Sequence, residues 1–114
     1  MVRACHLLCK HTGSRNPISR RTNKQIIATP EEAMEELSQI LDEICKADDP
    51  AAAFVKRAGE RSDCGSYANN GDLGEFERGQ MQKSFEDATF ALKLGEISQI
   101  VSGDSGYHII MRTG

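Results

Sequence analysis

The chain has 114 residues, 39% hydrophobic and 27% charged, a balance that suits one globular domain with one core. Its apolar runs are only a few residues long, far short of the ~20 that span a bilayer, and residues 1–4 lead into a strand-like segment without an export or transit pattern. The net charge of −3 hides an asymmetry: residues 1–30 carry six basic groups and no acid, while residues 31–114 carry 8 basic and 17 acidic groups, so an anion-attracting segment sits on an acidic body.

Arg3 to His11 (RACHLLCKH) reads as a strand. One face carries Ala4, His6, Leu8 and Lys10, the other Cys5, Leu7, Cys9 and His11, and both are partly apolar, as in a central strand. Cys5 and Cys9 would lie ~13 Å apart along such a strand, too far for a disulfide. With Cys45 and Cys64 they are expected as free thiols in a reducing compartment, the cytoplasm and/or nucleus. The order C-H-x2-C-x-H at 5–11 fits no zinc pattern, because His6 points away from Cys5, Cys9 and His11.

Residues 12–28 (TGSRNPISRRTNKQIIA) form a loop that holds most of the early basic charge, and an ordered loop of that length generally has a task. A helix follows, with Thr29 as N-cap, Pro30 at the first helical position and Glu32 completing a capping box. Ala33, Leu37, Ile40, Leu41 and Ile44 form its apolar stripe, Glu31, Glu32, Glu35, Glu36 and Glu43 its solvent side and N-terminal end, and Lys46 its last turn. A shorter helix after Asp49-Pro50 carries Ala51, Phe54, Val55 and Ala58.

Residues 61–72 are polar and turn-forming, and Leu73 to Phe76 reads as a short strand. A third helix is expected from near Ser84, with Asp87 three residues on as a weak capping signal, to a C-cap at Gly95. Two strands, Ile97 to Ser102 and Tyr107 to Arg112, flank a tight turn at Gly103-Asp104-Ser105-Gly106. The order β, helices, β, helix, β-hairpin describes an α+β domain with a small, largely antiparallel sheet.

The most informative stretch is Gly71 to Leu92, where Leu73, Phe76, Met81 and Phe85 gather beside a glycine-punctuated turn without a metal-ligand set or a phosphate-cradling loop. It reads as the wall of an apolar pocket. His6, His108 and Cys64 could meet there if the first and last strands are neighbours.

Five segments make the chain resemble the parvulin family of peptidyl-prolyl cis–trans isomerases, in particular its phosphorylation-specific (Pin-type) branch. They are C-H-L-L-x-K-H at 5–11, S-D-C at 62–64, G-D-L-G-x-F-x-R-G-Q-M-Q-K at 71–83, F-E-D-A-x-F-A-L at 85–92 and D-S-G-x-H-I-I at 104–110. The resemblance runs from about Arg3 to the C-terminus and implies one parvulin (FKBP-like) domain over residues 1–114, a four-stranded antiparallel sheet surrounded by about four helices. It also implies roles. His6 and His108 resemble the paired histidines of the pocket floor, Cys64 the thiol beside them, and Ser105 the hydroxyl that completes their network. Leu73, Met81 and Phe85 resemble the prolyl-ring pocket, Gln82 the residue that steadies the peptide, and Lys10 and Arg15 the phosphate contacts. No metal or cofactor is implied.

Three positions depart from the branch. It usually has two adjacent arginines where this chain has Arg15 then Asn16; asparagine supplies no charge, so Arg20 or Arg21 would have to compensate. Ser84 stands where proline is common, and Gly103, where threonine is common, is expected to loosen the turn near Ser105 and His108. The chain has no tryptophan and no aromatic-rich strand region before Arg3, so no WW module is expected. The expected activity is isomerisation of phospho-Ser/Thr-Pro bonds by a monomer, without a covalent adduct on Cys64. The alternatives are a phosphate-indifferent isomerase and a non-catalytic phosphopeptide-binding module. Nucleic-acid binding is disfavoured, because the basic loop lacks interleaved aromatics.

Overall fold

The computed structural model describes residues Met1–Gly114. In chain order its elements are β1 (Val2–Cys9), α1 (Pro30–Lys46), α2 (Pro50–Arg61), a 3-10 helix (Gly65–Asn69), β2 (Asp72–Phe76), α3 (Lys83–Ala91), β3 (Val101–Gly103) and β4 (Gly106–Arg112). The strands form one sheet in the order β2-β1-β4-β3, every pair antiparallel. Three α-helices and the 3-10 helix account for the four helices expected.

β1 is the spine of the sheet, and each of its edges is fully used. On one side β4 pairs with it from Ala4 opposite Arg112 to Cys9 opposite Tyr107. On the other side β2 covers only the first residues, from Val2 opposite Phe76 to Cys5 opposite Asp72. The remaining edge is completed by loop residues. His6 N–H donates to Gly71 O (3.0 Å), Ser62 Oγ accepts from Leu8 N–H (3.0 Å), Asp63 N–H donates to Leu8 O (2.8 Å), and the Asp63 carboxylate accepts from Lys10 N–H (3.0 Å). Buried backbone donors need such partners. This requirement draws the polar segment at 62–71 against the strand that carries His6.

The alternation read from β1 divides two cores. Cys5, Leu7 and Cys9 pack with Ile109 and Met111 against Ala33, Leu37, Ile40 and Ile44 of α1 and Phe54 and Ala58 of α2. Val2, Ala4 and Ile110 face the other way, against Phe76, Phe85 and Leu92. His6, Leu8 and Lys10 share this second face, so the first core anchors the sheet and the second carries the site. Burial pushes the Cys9 thiol up to about 12, and all four cysteines are free.

The helix starts follow their sequence signals. Thr29 Oγ1 accepts from Glu32 N–H (3.2 Å) while Glu32 Oε1 accepts from Thr29 N–H (2.9 Å), and Asp49 Oδ1 accepts from Ala52 N–H (3.2 Å) at the start of α2. Glu36 departs from the expected solvent side. It turns toward α2 and pairs with Arg61 through both carboxylate oxygens, and Arg61 in turn pairs with Asp63 (3.1 Å).

Several boundaries differ from the expectation. The first strand spans Val2–Cys9, because Lys10 turns into the loop. The third helix starts at Lys83 with Gln82 as N-cap, its carbonyl accepting from Glu86 N–H (2.9 Å), so Ser84 lies inside the helix. That helix stops at Ala91, and Gly95 belongs to the following turn, where it donates to Arg112 O (2.8 Å). The strand expected over 97–102 shrinks to Val101–Gly103, because Ser98 uses both its backbone N–H (to Ile110 O, 2.7 Å) and its hydroxyl (from Ile110 N–H, 2.9 Å) on one β4 residue.

The basic loop is ordered by its own bonds. Thr12 N–H to Ala28 O (2.9 Å) closes its base, and Ser19 N–H to Lys24 O (3.0 Å) with an Ile18–Gln25 bridge folds its middle back. No helix is long and apolar enough to cross a membrane.

Candidate active site

His6 stands opposite Ile110 and His108 opposite Leu8, so the two histidines are diagonal neighbours on one face of the β1–β4 pair. Their rings stack with centroids 5.2 Å apart, and Nδ1 of His6 lies 3.0 Å from Nδ1 of His108. Phe85, brought in by the first turn of α3, presents edge-on contacts to both, at 5.5 Å from His6 and 5.1 Å from His108. Sealed under this ring, both imidazoles are held neutral. Burial lowers His6 to about 4, and burial together with the neighbouring His6 lowers His108 to about 3. A neutral imidazole has one N–H, so the Nδ1 contact joins one ring that donates there to one that accepts.

The hydroxyl that closes this network is Ser66, in the 3-10 helix, whose Oγ lies 3.1 Å from His6 Nε2. Ser105, expected in that role, bonds neither imidazole; it lines the pocket mouth from the β3–β4 turn. Ser66 leaves no signal in the sequence, because it lies in an aperiodic polar segment, sixty positions from its partner. Its placement depends on Gly71, whose N–H donates to Ser66 O (2.9 Å). Gly71 has φ +84°, and a Cβ there would come within 2.3 Å of the His6 carbonyl oxygen. No other residue fits at that approach.

Above the histidines opens a cavity of about 510 Å³. Leu73 of β2, Met81 of the β2–α3 loop and Phe85 form its apolar wall, and Cys64, Gln82 and Ser105 line it with the histidines. Gln80, Asp104 and Arg15 line it as well, and neither Gln80 nor Asp104 carries a sequence signal for that place. The loop that delivers Met81 is pinned to α3. Gly79 N–H donates to the buried Glu86 carboxylate (2.9 Å), and Arg78 pairs with Asp87 (2.8 Å) and lies over the Phe90 ring (4.5 Å). The Gln82 side chain accepts from Asp104 N–H (3.1 Å), and the Asp104 carbonyl accepts from Arg15 N–H (2.8 Å), so the hairpin turn joins α3 to the basic loop.

A second hollow of about 260 Å³ adjoins the first and shares Arg15, Cys64 and Ser105 with it. Lys10, Asn16 and Arg20 contribute the rest of its polar lining. Lys10 is buried; its ammonium donates to the carbonyls of Asn16 (2.9 Å) and Ile18 (2.6 Å), which ties the loop down from beneath. Its pKa is lowered, first by burial and then by Arg20. Arg21, the alternative compensating cation, lines neither hollow, and its Nε is buried without a partner. Gly103 does not leave an empty place: the Gln82 amide occupies it, 2.6 Å from where a Cβ would stand.

Residues 6–114 match the family model described as a rotamase, PPIC-type PPIase domain. The chain is 46% identical over 97% of its length to a "Peptidyl-prolyl cis-trans isomerase NIMA-interacting 1" of Theileria annulata, covering 78% of that protein. It is 50% identical over 99% of its length to a "Peptidyl-prolyl cis-trans isomerase Pin1" of Digitalis lanata, covering 96% of it. Among solved structures, that of TbPIN1 superposes with a TM-score of 0.87 at 51% identity, with 99% of this chain and 96% of that one covered. The peptidyl-prolyl isomerase ESS1 of Candida albicans superposes with a TM-score of 0.90 at 40% identity, with 99% of this chain and 62% of that one covered.

Proposed function

We propose, from the premise that the chain belongs to the PPIC-type peptidyl-prolyl isomerase family and is a peptidyl-prolyl cis–trans isomerase, that it acts on proline bonds preceded by phosphoserine or phosphothreonine. One observation carries this reading: the apolar cavity and the cationic hollow adjoin and share Arg15, Cys64 and Ser105. A ligand filling both needs an apolar ring and an anion on consecutive residues. Phosphoserine-proline has that form, with about −1.5 to −2 charges on its phosphate.

The mechanism follows from the division of the site. Rotation about the X–Pro bond faces a barrier of ~18–20 kcal/mol because the amide is conjugated. Leu73, Met81 and Phe85 hold the prolyl ring, and Lys10 and Arg15 hold the phosphate, so the carbonyl between them is the part left free to turn. The planar amide is the more charge-separated state, and a dry apolar pocket therefore favours the twisted one. The neutral imidazole pair adds fixed dipoles without an ionic charge that would trap a planar ground state. Each ~1.4 kcal/mol of selective stabilisation gives a factor of ten in rate. No bond need break, and Cys64 acts as a wall shared by both subsites. Because one chain supplies every group, the isomerase works as a monomer, with phosphorylated Ser/Thr-Pro proteins of the cytoplasm and/or nucleus as its partners.

Exchange measurements on matched pSer-Pro, Glu-Pro and Ala-Pro peptides test the reading. It requires the highest kcat/KM on pSer-Pro. Equal turnover of all three would make the chain a phosphate-indifferent isomerase, as Asn16 alone would suggest. Exchange no faster than the uncatalysed rate would leave only a binding role.

A further inference from the structure

Lys10, Arg15 and Arg20 face one hollow, and none of the three has a carboxylate partner. The nearby acid, Asp63, is buried and paired with Arg61. Two of the three ammonium donors of Lys10 are spent on loop carbonyls, so the guanidinium groups must supply most of the hydrogen bonds to any anion held there. Position 16 supplies a neutral amide. Resting on the phosphate-directed reading above, we propose that Arg20 sets the preference for phosphorylated substrates, providing a second guanidinium beside Arg15 where position 16 offers only an amide.

The backbone of Arg20 is tied down although its loop is long. Arg20 N–H donates to Asp63 O (2.9 Å), beside the residues that complete the edge of β1. The preceding Ser19 is buried, and its hydroxyl accepts from Arg21 N–H (3.2 Å). The side chain is thus launched from a fixed point toward a cavity it lines, while Arg21, one residue on, is directed elsewhere. Guanidinium bonds to a dianion are charge-assisted and bidentate. The arrangement accordingly sets two guanidinium groups from residues five positions apart, Arg15 and Arg20, around one hollow whose polar lining Ser105 and Lys10 help to complete.

The test is the ratio of kcat/KM on pSer-Pro to that on Ala-Pro in Arg20→Ala, Arg21→Ala, Arg15→Ala and the double variant Arg20→Ala/Asn16→Arg. The Arg20→Ala ratio falls tenfold or more, chiefly through KM for the phosphopeptide, as expected for a binding contact. Arg21→Ala leaves the ratio in place, and the double variant recovers most of it. An unchanged ratio in Arg20→Ala, or an equal fall in Arg21→Ala, overturns the assignment. If Arg15→Ala lowers the ratio and Arg20→Ala does not, the Arg20 assignment alone fails. If the unmodified protein shows no preference for pSer-Pro, the phosphate-directed reading fails and the assignment fails with it.

Discussion

Nδ1 of His6 lies 3.0 Å from Nδ1 of His108, and both rings are buried and neutral. Their burial makes the fold lose stability in acid. Both imidazoles titrate below their ordinary value of 6.5 in the fold, at about 4 for His6 and about 3 for His108. Below pH 6.5 the unfolded chain takes up protons that the folded pair refuses. Stability is therefore full above pH 6.5, falls as the pH drops, and stops falling from this source only below about pH 3. Within that window the unfolded chain binds up to one more proton per histidine than the folded one, which sets the sign of the slope. Urea midpoints between pH 7 and 5 read the effect before Glu36 and Asp72, whose carboxyls arginine hydrogen bonds hold low, begin to titrate. The midpoint drops across this range, and His108→Leu reduces the slope. A flat profile would mean that the imidazoles charge freely in the folded state.

Ser66 gives the histidine pair its outer partner. Removing the hydroxyl in Ser66→Ala leaves Nε2 of the buried His6 without its 3.1 Å contact. An unsatisfied buried polar group costs ~1–3 kcal/mol. The expected result is a lower denaturation midpoint and a lower kcat on proline peptides, whether or not they are phosphorylated, since Ser66 lies outside the cationic hollow. A loss confined to phosphopeptides would place Ser66 in the wrong subsite.

What the sequence made legible was whatever leaves a local pattern. The capping box at Thr29 and Glu32 and the two faces of β1 read directly from spacing, and the gathering of Leu73, Phe76, Met81 and Phe85 marks an apolar wall, although Phe76 belongs to the core beneath it and not to the cavity. Ser66 left no such mark, because its partner is fixed by a contact across the fold. Gly71 was visible as a turn residue, but its closer constraint is the His6 carbonyl, which no spacing reveals. The resemblance marks Lys10 only as a phosphate contact; its burial beneath the loop depends on two carbonyls contributed by that loop. The start of α3 shifted from Ser84 because the Gln82 carbonyl already accepts the first helical bond.

Asp63 binds three parts of the molecule with one carboxylate and its own backbone. It is 1% exposed and meets Arg61 at 3.1 Å and Lys10 N–H at 3.0 Å. Asp63→Ala leaves Arg61 half-neutralised and a buried N–H unpaired, so the loss should reach ~3–5 kcal/mol. Glu36 reaches the same arginine from a side chain that is 42% exposed, and Glu36→Ala should cost ~1 kcal/mol or less. Chemical denaturation of the two variants checks the order. Equal losses would show that the carboxylate of Asp63 contributes no more than a surface ion pair.

Gly103 is a place where a missing side chain tightens the structure. The branch this chain resembles commonly has threonine there, and its absence alone predicts a looser turn. Instead the Gln82 amide enters the gap and accepts from Asp104 N–H at 3.1 Å, while Asp104 O holds Arg15 N–H at 2.8 Å. A Cβ at position 103 would stand 2.6 Å from Gln82 Oε1, which must then leave its bond. Gly103→Ala would ordinarily stabilise the chain by ~0.4–1 kcal/mol, because it restricts the unfolded state and position 103 does not need a positive φ. Here the lost hydrogen bond, worth ~1 kcal/mol, offsets that gain, so the net change should be close to zero or slightly destabilising. The decisive measurement is a double-mutant cycle. With Gln82→Ala already present there is nothing to displace, and Gly103→Ala should turn stabilising. Additive effects would sever the link between the two residues, and with it the account of how the hairpin turn is held between α3 and the basic loop.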